Sequence, residues 1–163
     1  MGRKTLAEIA VADEVWVATA LLHREHPDRE DFSEAEILDR AAREGIVKPL
    51  RPGVRVHINQ HCVANRPPNS GPYRMLTETA PGRRRLFRPD DEHHPKREGG
   101  KIRPEAASIP VQYRDLLDWY EERWGGAARQ RYDSILGLRG LGREIWDGVD
   151  ADDYVRQLRE GWE

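Results

Sequence analysis

Apolar positions along the chain recur mainly at helical spacing. From about Thr5 to Arg24, Val15, Ala18, Leu21 and Leu22 share one side of a helix with Trp16 and Ala20 close by. Glu8, Asp13 and Glu14 keep its N-terminal half acidic, the sign that a helix dipole favours there. Pro27 ends that helix. Ser33 followed by Glu36 has the spacing of a capping box, with Ile37, Leu38, Ala41 and Ala42 as the stripe behind it and Gly45 as the stop. A third helix is predicted to begin at Pro52 and to halt before Pro67-Pro68. Val54, Ile58 and Cys62 define its inward face, Arg55, Asn59 and Arg66 fall on a neighbouring exposed stripe, and Val56 and Val63 lie off the inward face and are expected to be exposed unless they touch thymine methyls or another part of the chain. Two short runs of strand formers follow, Tyr73 to Thr77 and Arg85 to Arg88, joined by the turn-like Ala80-Pro81-Gly82 with Arg83, Arg84 and Arg85 at its far side.

Three helices followed by a basic-tipped hairpin is the layout of a winged helix-turn-helix. In that layout a third helix enters the major groove and a wing grips the backbone. On this reading Arg51, just before the third helix, and Arg55, Asn59 and Arg66 from it contact DNA, and Arg83, Arg84 and Arg85 contact it from the wing. Charge adds to the picture. The net charge is −2, yet residues 1–44 hold 6 Lys/Arg against 11 Asp/Glu, residues 45–110 hold 13 against 6, and residues 111–163 hold 8 against 12. A basic block between acidic flanks is expected to face phosphate; a solvated basic face is the alternative. From Pro89 to Pro110 the chain is charged, rich in Pro and Gly and almost without aliphatics, which predicts a linker or long surface loop. Tyr113, Leu116, Leu117, Tyr120 and Trp124 then define a fourth helix, expected to pack on the first part or to pair with its copy in a dimer.

The composition bounds the function. With 163 residues, 37% hydrophobic and 34% charged, the chain fits one domain plus an appendage. It has no apolar run approaching the ~20 residues of a membrane span and no signal-peptide pattern near its N-terminus, so a soluble, cytoplasmic protein is expected. The single cysteine, Cys62, excludes an internal disulfide and a multi-cysteine zinc site. His57 and His61 are four apart and could share a metal on a helix, but no acidic or cysteine ligand lies at a telling distance. His93-His94, Asp90-Asp91-Glu92 and the trio Asp150, Asp152, Asp153 read as solvated or helix-starting groups. No phosphate-cradling glycine loop or nucleophile elbow is present. The expectation is a protein without catalytic residues, metal or cofactor.

The last segment carries its own signal. Leu138, Leu141, Ile145 and Trp146 form one apolar edge interrupted by Gly140 and Gly142, and beyond Gly148 Asp150 can cap a short helix with Ala151, Tyr154, Val155, Leu158 and Trp162 on one face. Such a segment either orders on a partner or folds back as a fifth helix. The run LRGLGREIWDGVDADDYVRQLREGWE resembles the C-terminal toxin-binding tail of VapB-type antitoxins, the partners of PIN-domain ribonuclease toxins. The likeness lies in the Gly-Arg-Glu-Ile-Trp core, the Asp-Ala-Asp-Asp-Tyr-Val run and the Leu-Arg-Glu-Gly-Trp end, and it covers roughly the last 30 residues. The resemblance implies a tail that wraps a PIN toxin and brings a basic side chain, Arg143 or else Arg139, to its acidic metal-binding pocket. Antitoxins with this tail commonly carry a swapped-hairpin or ribbon-helix-helix head, whereas this N-terminal part reads as a winged helix.

The sequence is therefore read as a mainly α protein with a small β-hairpin. Residues 1–110 form a winged-helix-like DNA-binding domain with its basic wing and linker, residues 111–126 a connecting helix, and residues 127–163 a toxin-binding tail. The expected partners are a PIN-domain toxin and double-stranded operator DNA, with a homodimer or a hetero-oligomer with the toxin as the assembly. A winged-helix regulator or DNA-targeting module whose tail dimerises is the alternative.

Overall fold

A computed structural model describes residues 9–126; the predicted toxin-binding residues, Leu138 to Trp162, lie outside the described residues. Helix α1 spans Val11–Glu25, and a two-residue strand β1, Phe32–Ser33, leads directly into α2, Glu34–Glu44. Helix α3, Gly53–Val56, runs on without a break in its helical dihedrals as a π turn, His57–His61. Strands β2 (Leu76–Ala80) and β3 (Arg83–Leu86) form a hairpin, and after three 3-10 turns come α4 (Asp115–Tyr120) and a second π turn, Glu121–Gly125, close to the end of the described residues. The fold is thus helix-rich with one small antiparallel sheet of strand order β1-β3-β2. Among the described residues no helix is long and apolar enough to cross a membrane.

Helix α1 is the axis of the fold. The expected one-sided stripe is too narrow a description, because Ala12 through His23 are all buried. Helices α2, α3 and α4, the first π turn and β3 all contact α1, so a helix with few polar positions is enclosed rather than laid on a surface. Its two buried acids are matched by cations from distant segments: Glu14 accepts two bonds from Arg51 (2.6 and 3.2 Å) and Asp13 two from Lys101 (2.9 and 3.2 Å). Tyr120 of α4 sets its ring edge-on to Trp16, with centroids 5.7 Å apart.

Helix α2 follows its cap signals closely, but of the expected buried stripe only Ile37 and Ala41 are buried, Leu38 is half-buried and Ala42 is exposed, because the helix packs through a face narrower than four positions. Ser33 Oγ accepts from the Glu36 N–H at 3.2 Å and Glu36 accepts from the Ser33 N–H at 2.8 Å, closing the capping box. Gly45 ends the helix at φ 62°, a left-handed conformation suited to glycine. The hairpin is shifted from the expected runs. Strand β2 begins at Leu76, not Tyr73, and β3 ends at Leu86 after starting at Arg83, so the arginine triplet is inside the strand and only Pro81-Gly82 turn the chain. Val63 meets another part of the chain, buried and bridged to Leu76, while Val56 stays 42% exposed.

The segment from Pro89 to Pro110 is not a free linker. Arg97 is fully buried, and its guanidinium donates to six backbone carbonyls, those of Gln60, His61, Arg66, Pro67, Gly71 and Tyr73, at 2.6–3.3 Å. Burial lowers its pKa, but the carbonyl dipoles take the place of a counter-ion and keep the cation bonded. Gly100 packs so closely on this junction that a Cβ there would stand 1.8 Å from the Pro72 carbonyl oxygen. A polar stretch therefore organises the loop between the first π turn and β2 from within.

Candidate nucleic-acid interface

The third helix has the expected inward face: Val54, Ile58 and Cys62 are fully buried. Burial pushes the Cys62 thiol pKa up, which makes it a core side chain rather than a nucleophile. Arg55 leads the outward face with its side chain 66% exposed and only a 3.5 Å ion pair to Glu34. Val56 and Gln60 are exposed around it and Asn59 is half-buried beside it.

The other predicted DNA contacts are engaged within the protein. Arg51 is held by Glu14. Arg66 donates to the Asn59 carbonyl at 3.2 Å and pairs with Glu78. In the expected wing, Arg83 pairs with Asp31 at 2.6 Å, and Arg85 makes two bonds to Asp91. Arg84 is buried, donating to the Ile58 carbonyl at 3.1 Å and pairing with Glu78, its cross-strand neighbour, at 2.7 Å. Strand periodicity could have located it, since Arg84 and Leu86 share the face of β3 that turns inward. The basic block therefore meets much of its counter-charge in the acidic segment before residue 45.

The π turn accounts for this use of arginine. Its i to i+5 bond, from the Cys62 N–H to the His57 carbonyl (3.0 Å), leaves the carbonyls of residues 58–61 facing outward from the helix end. Arg84 takes Ile58, Arg66 takes Asn59, and Arg97 takes Gln60 and His61. Four successive carbonyls at the negative end of the helix are thus met by three guanidinium groups.

His57 and His61 stand with ring centroids 4.8 Å apart. His57 Nδ1 bonds the Gly53 carbonyl at 2.8 Å and His61 contacts Ser70 Oγ. Among the described residues no group of three or more His, Cys, Asp or Glu side chains is placed to hold a metal. Asp91 has a structural role: burial works against its charge, but bonds from Arg85, the Arg88 N–H and Thr77 hold its carboxyl below the usual range. His94 accepts from the Lys96 N–H at 3.2 Å, and His93 pairs with Glu98.

One residue with unusual chemistry carries no sequence signal. His23 is buried in the last turn of α1, where Nε2 accepts from the Leu86 N–H at 3.2 Å and the ring packs edge-on to Phe32 and Trp124. Burial, reinforced by Arg88, Arg85 and Arg123, lowers its pKa to about 4. No protein-family model, curated protein or solved structure matches the chain.

Proposed function

We propose that the chain is a two-part, non-enzymatic antitoxin of the cytoplasm, with a winged-helix head that binds the operator DNA of its own operon and a tail, residues 127–163, that neutralises a PIN-type ribonuclease. The observation that carries the head is topological. The order α1-β1-α2-α3-β2-β3, with β3 central in a β1-β3-β2 sheet, supports the winged-helix reading, and the outer face of α3 carries an exposed arginine. The tail rests on its resemblance to VapB-type antitoxins. Because the wing cations are paired with Asp31, Glu78 and Asp91, base reading is assigned to Arg55 and Asn59, and the wing contributes less phosphate contact than three free arginines would.

Binding to an operator panel tests the head: Arg55→Ala or Asn59→Ala should relax base preference at one position by about 1–3 kcal/mol, with non-cognate affinity little changed. A uniform loss across all sequences would remove the base-reading role. For the tail, Trp146→Ala should cost ~2–4 kcal/mol of toxin binding, whereas Arg143→Ala should leave a complex that inhibits RNA cleavage incompletely. Full neutralisation by a chain lacking residues 127–163 would rule the antitoxin assignment out.

A further inference from the structure

A small cleft of about 160 Å³ opens beside the end of α1, lined by His23, Arg29, Glu30, Arg88, Arg123 and Trp124, among others. Three of those groups are guanidinium cations. They are not equally engaged. Arg29 is held bidentately by Glu36, with two bonds of 2.6 and 3.0 Å. Arg88 reaches the Glu30 carboxylate only at 3.3 and 3.4 Å, well outside the ~2.7–2.9 Å of a well-formed charged hydrogen bond. Its Nε is buried without an acceptor. Arg88 and Arg123 both sit over the Trp124 ring, at 5.5 and 5.8 Å from its centroid. Glu30 is shared at long range with Arg85 as well (3.4 Å), and its side chain is 66% exposed.

We infer that this cleft binds a compact oxyanion, a free phosphate or the phosphate of a small phosphomonoester, which displaces the loosely held Glu30 carboxylate from Arg88. The size suits that class: the volume is that of about five waters and far below the ~300 Å³ at which pockets for larger ligands begin. The chemistry suits it too, since a tetrahedral anion can accept from Arg88 Nη2 and Nε and from Arg123 together, whereas Glu30 meets Arg88 at long distance. Trp124 forms an apolar wall that reduces solvent screening of the charge. His23 is the built-in reporter. The charged groups facing it are Arg85, Arg88 and Arg123, which disfavour its protonation, and Asp31, which favours it, while Asp28 and Glu30 also line the cleft. An added anion cancels part of the cationic field. The site is independent of the α3 surface assigned to DNA.

Calorimetric titration of the full chain with inorganic phosphate at constant ionic strength, alongside NMR of the His23 ring, tests the proposal. The expected result is saturable binding that raises the His23 pKa, with sulfate competing and acetate binding more weakly. Acetate binding as tightly as phosphate would transfer the site to carboxylates and overturn the assignment. Glu30→Gln should bind phosphate about two- to fivefold more tightly, the range for removing a partly exposed competing charge; equal or weaker binding would overturn the displacement. Arg88→Gln should abolish binding. Arg123 is exposed, so Arg123→Gln provides a variant whose fold is not at risk and should weaken binding severalfold. Non-saturable phosphate uptake, or unaltered affinity in Arg123→Gln, would reject the site.

Discussion

The C-terminal ends of α2 and of the third helix solve one problem in opposite ways. Each helix must satisfy its last carbonyls. Helix α2 does so with its own neighbour: Gly45 turns left-handed and its N–H returns to the Ala41 carbonyl at 3.1 Å. The third helix instead widens into a π turn and presents four carbonyls to Arg66, Arg84 and Arg97. The first solution is local, costs the chain little and depends on one residue type. The second is built from side chains as far as 37 residues away, so it forms only when the hairpin and the Arg97 turn are already in place. A local cap stabilises an element, whereas a distant cap ties several elements into one cooperative unit.

The largest test of that difference is Arg97→Ala. It removes the guanidinium donor from six carbonyls, of which Gln60 keeps the Val63 N–H, and should cost roughly 3–5 kcal/mol, enough to remove a large share of a small domain's stability. Chemical denaturation checks it. Arg97→Lys separates charge from geometry: it keeps the cation but donates from a single nitrogen, and should recover less than half of the loss. Recovery by lysine of full stability would mean that charge alone closes the helix end.

A third helix end, that of α1, extends the comparison to pH. His23 keeps its unprotonated Nε2 on the Leu86 N–H. Its pKa falls from 6.5 in the unfolded chain to about 4 in the fold, so the unfolded state binds more protons between those values and stability drops as pH falls from about 6.5 to about 4. The full linkage is about 3 kcal/mol. The α2 start behaves differently, because Arg29 and the Ser33 N–H hold the Glu36 carboxyl to about 2, and its contribution is lost only as pH falls from about 4.5 towards 2. Thermal melts at stepped pH should therefore show two separate declines, and His23→Gln should flatten the upper one alone.

Smaller effects belong to the local side. Ser33→Ala removes one cap acceptor and should cost about 1 kcal/mol, with no change in the packing of the third helix by NMR. Smallest of all is Arg83→Ala. Arg83 and Arg84 are adjacent in β3, but the Arg83–Asp31 pair is partly exposed, so its loss should stay below about 1 kcal/mol. Arg84→Ala, by contrast, opens a buried position and frees the Ile58 carbonyl. Equal melting shifts for the two arginines would contradict the division into an outer and an inner cation.

The same division explains what could be read from the residues. The α2 capping box, Gly45 and the Val54-Ile58-Cys62 face are encoded within one or two turns, and the sequence pattern exposes them. The charge imbalance of residues 45–110 was equally visible, but its meaning was not. Arg83 meets Asp31 across 52 positions and Lys101 meets Asp13 across 88, and no local pattern distinguishes a cation awaiting phosphate from one awaiting its own acidic flank. Residues 89–110 read as a linker or long surface loop because their anchors are mostly polar, Arg97 on carbonyls and Lys101 on Asp13, with Ile109 as their aliphatic in the core. Of the predicted interface, Arg55 and Asn59 remain on the outer surface of the third helix, and Arg84 was legible only through strand alternation.

Strand β2 lies at the margin of the sheet, and such a margin can recruit a strand from another molecule. Here the side-chain amide of Asn65 mimics a neighbouring strand: Nδ2 donates to the Glu78 carbonyl at 2.9 Å and Oδ1 accepts the Glu78 N–H at 3.0 Å. Two residues earlier, Leu76 exchanges bonds with Cys62 and Ala64. The outer margin of β2 is consequently occupied by the chain's own polypeptide, which protects a concentrated protein from intermolecular strand addition along that side.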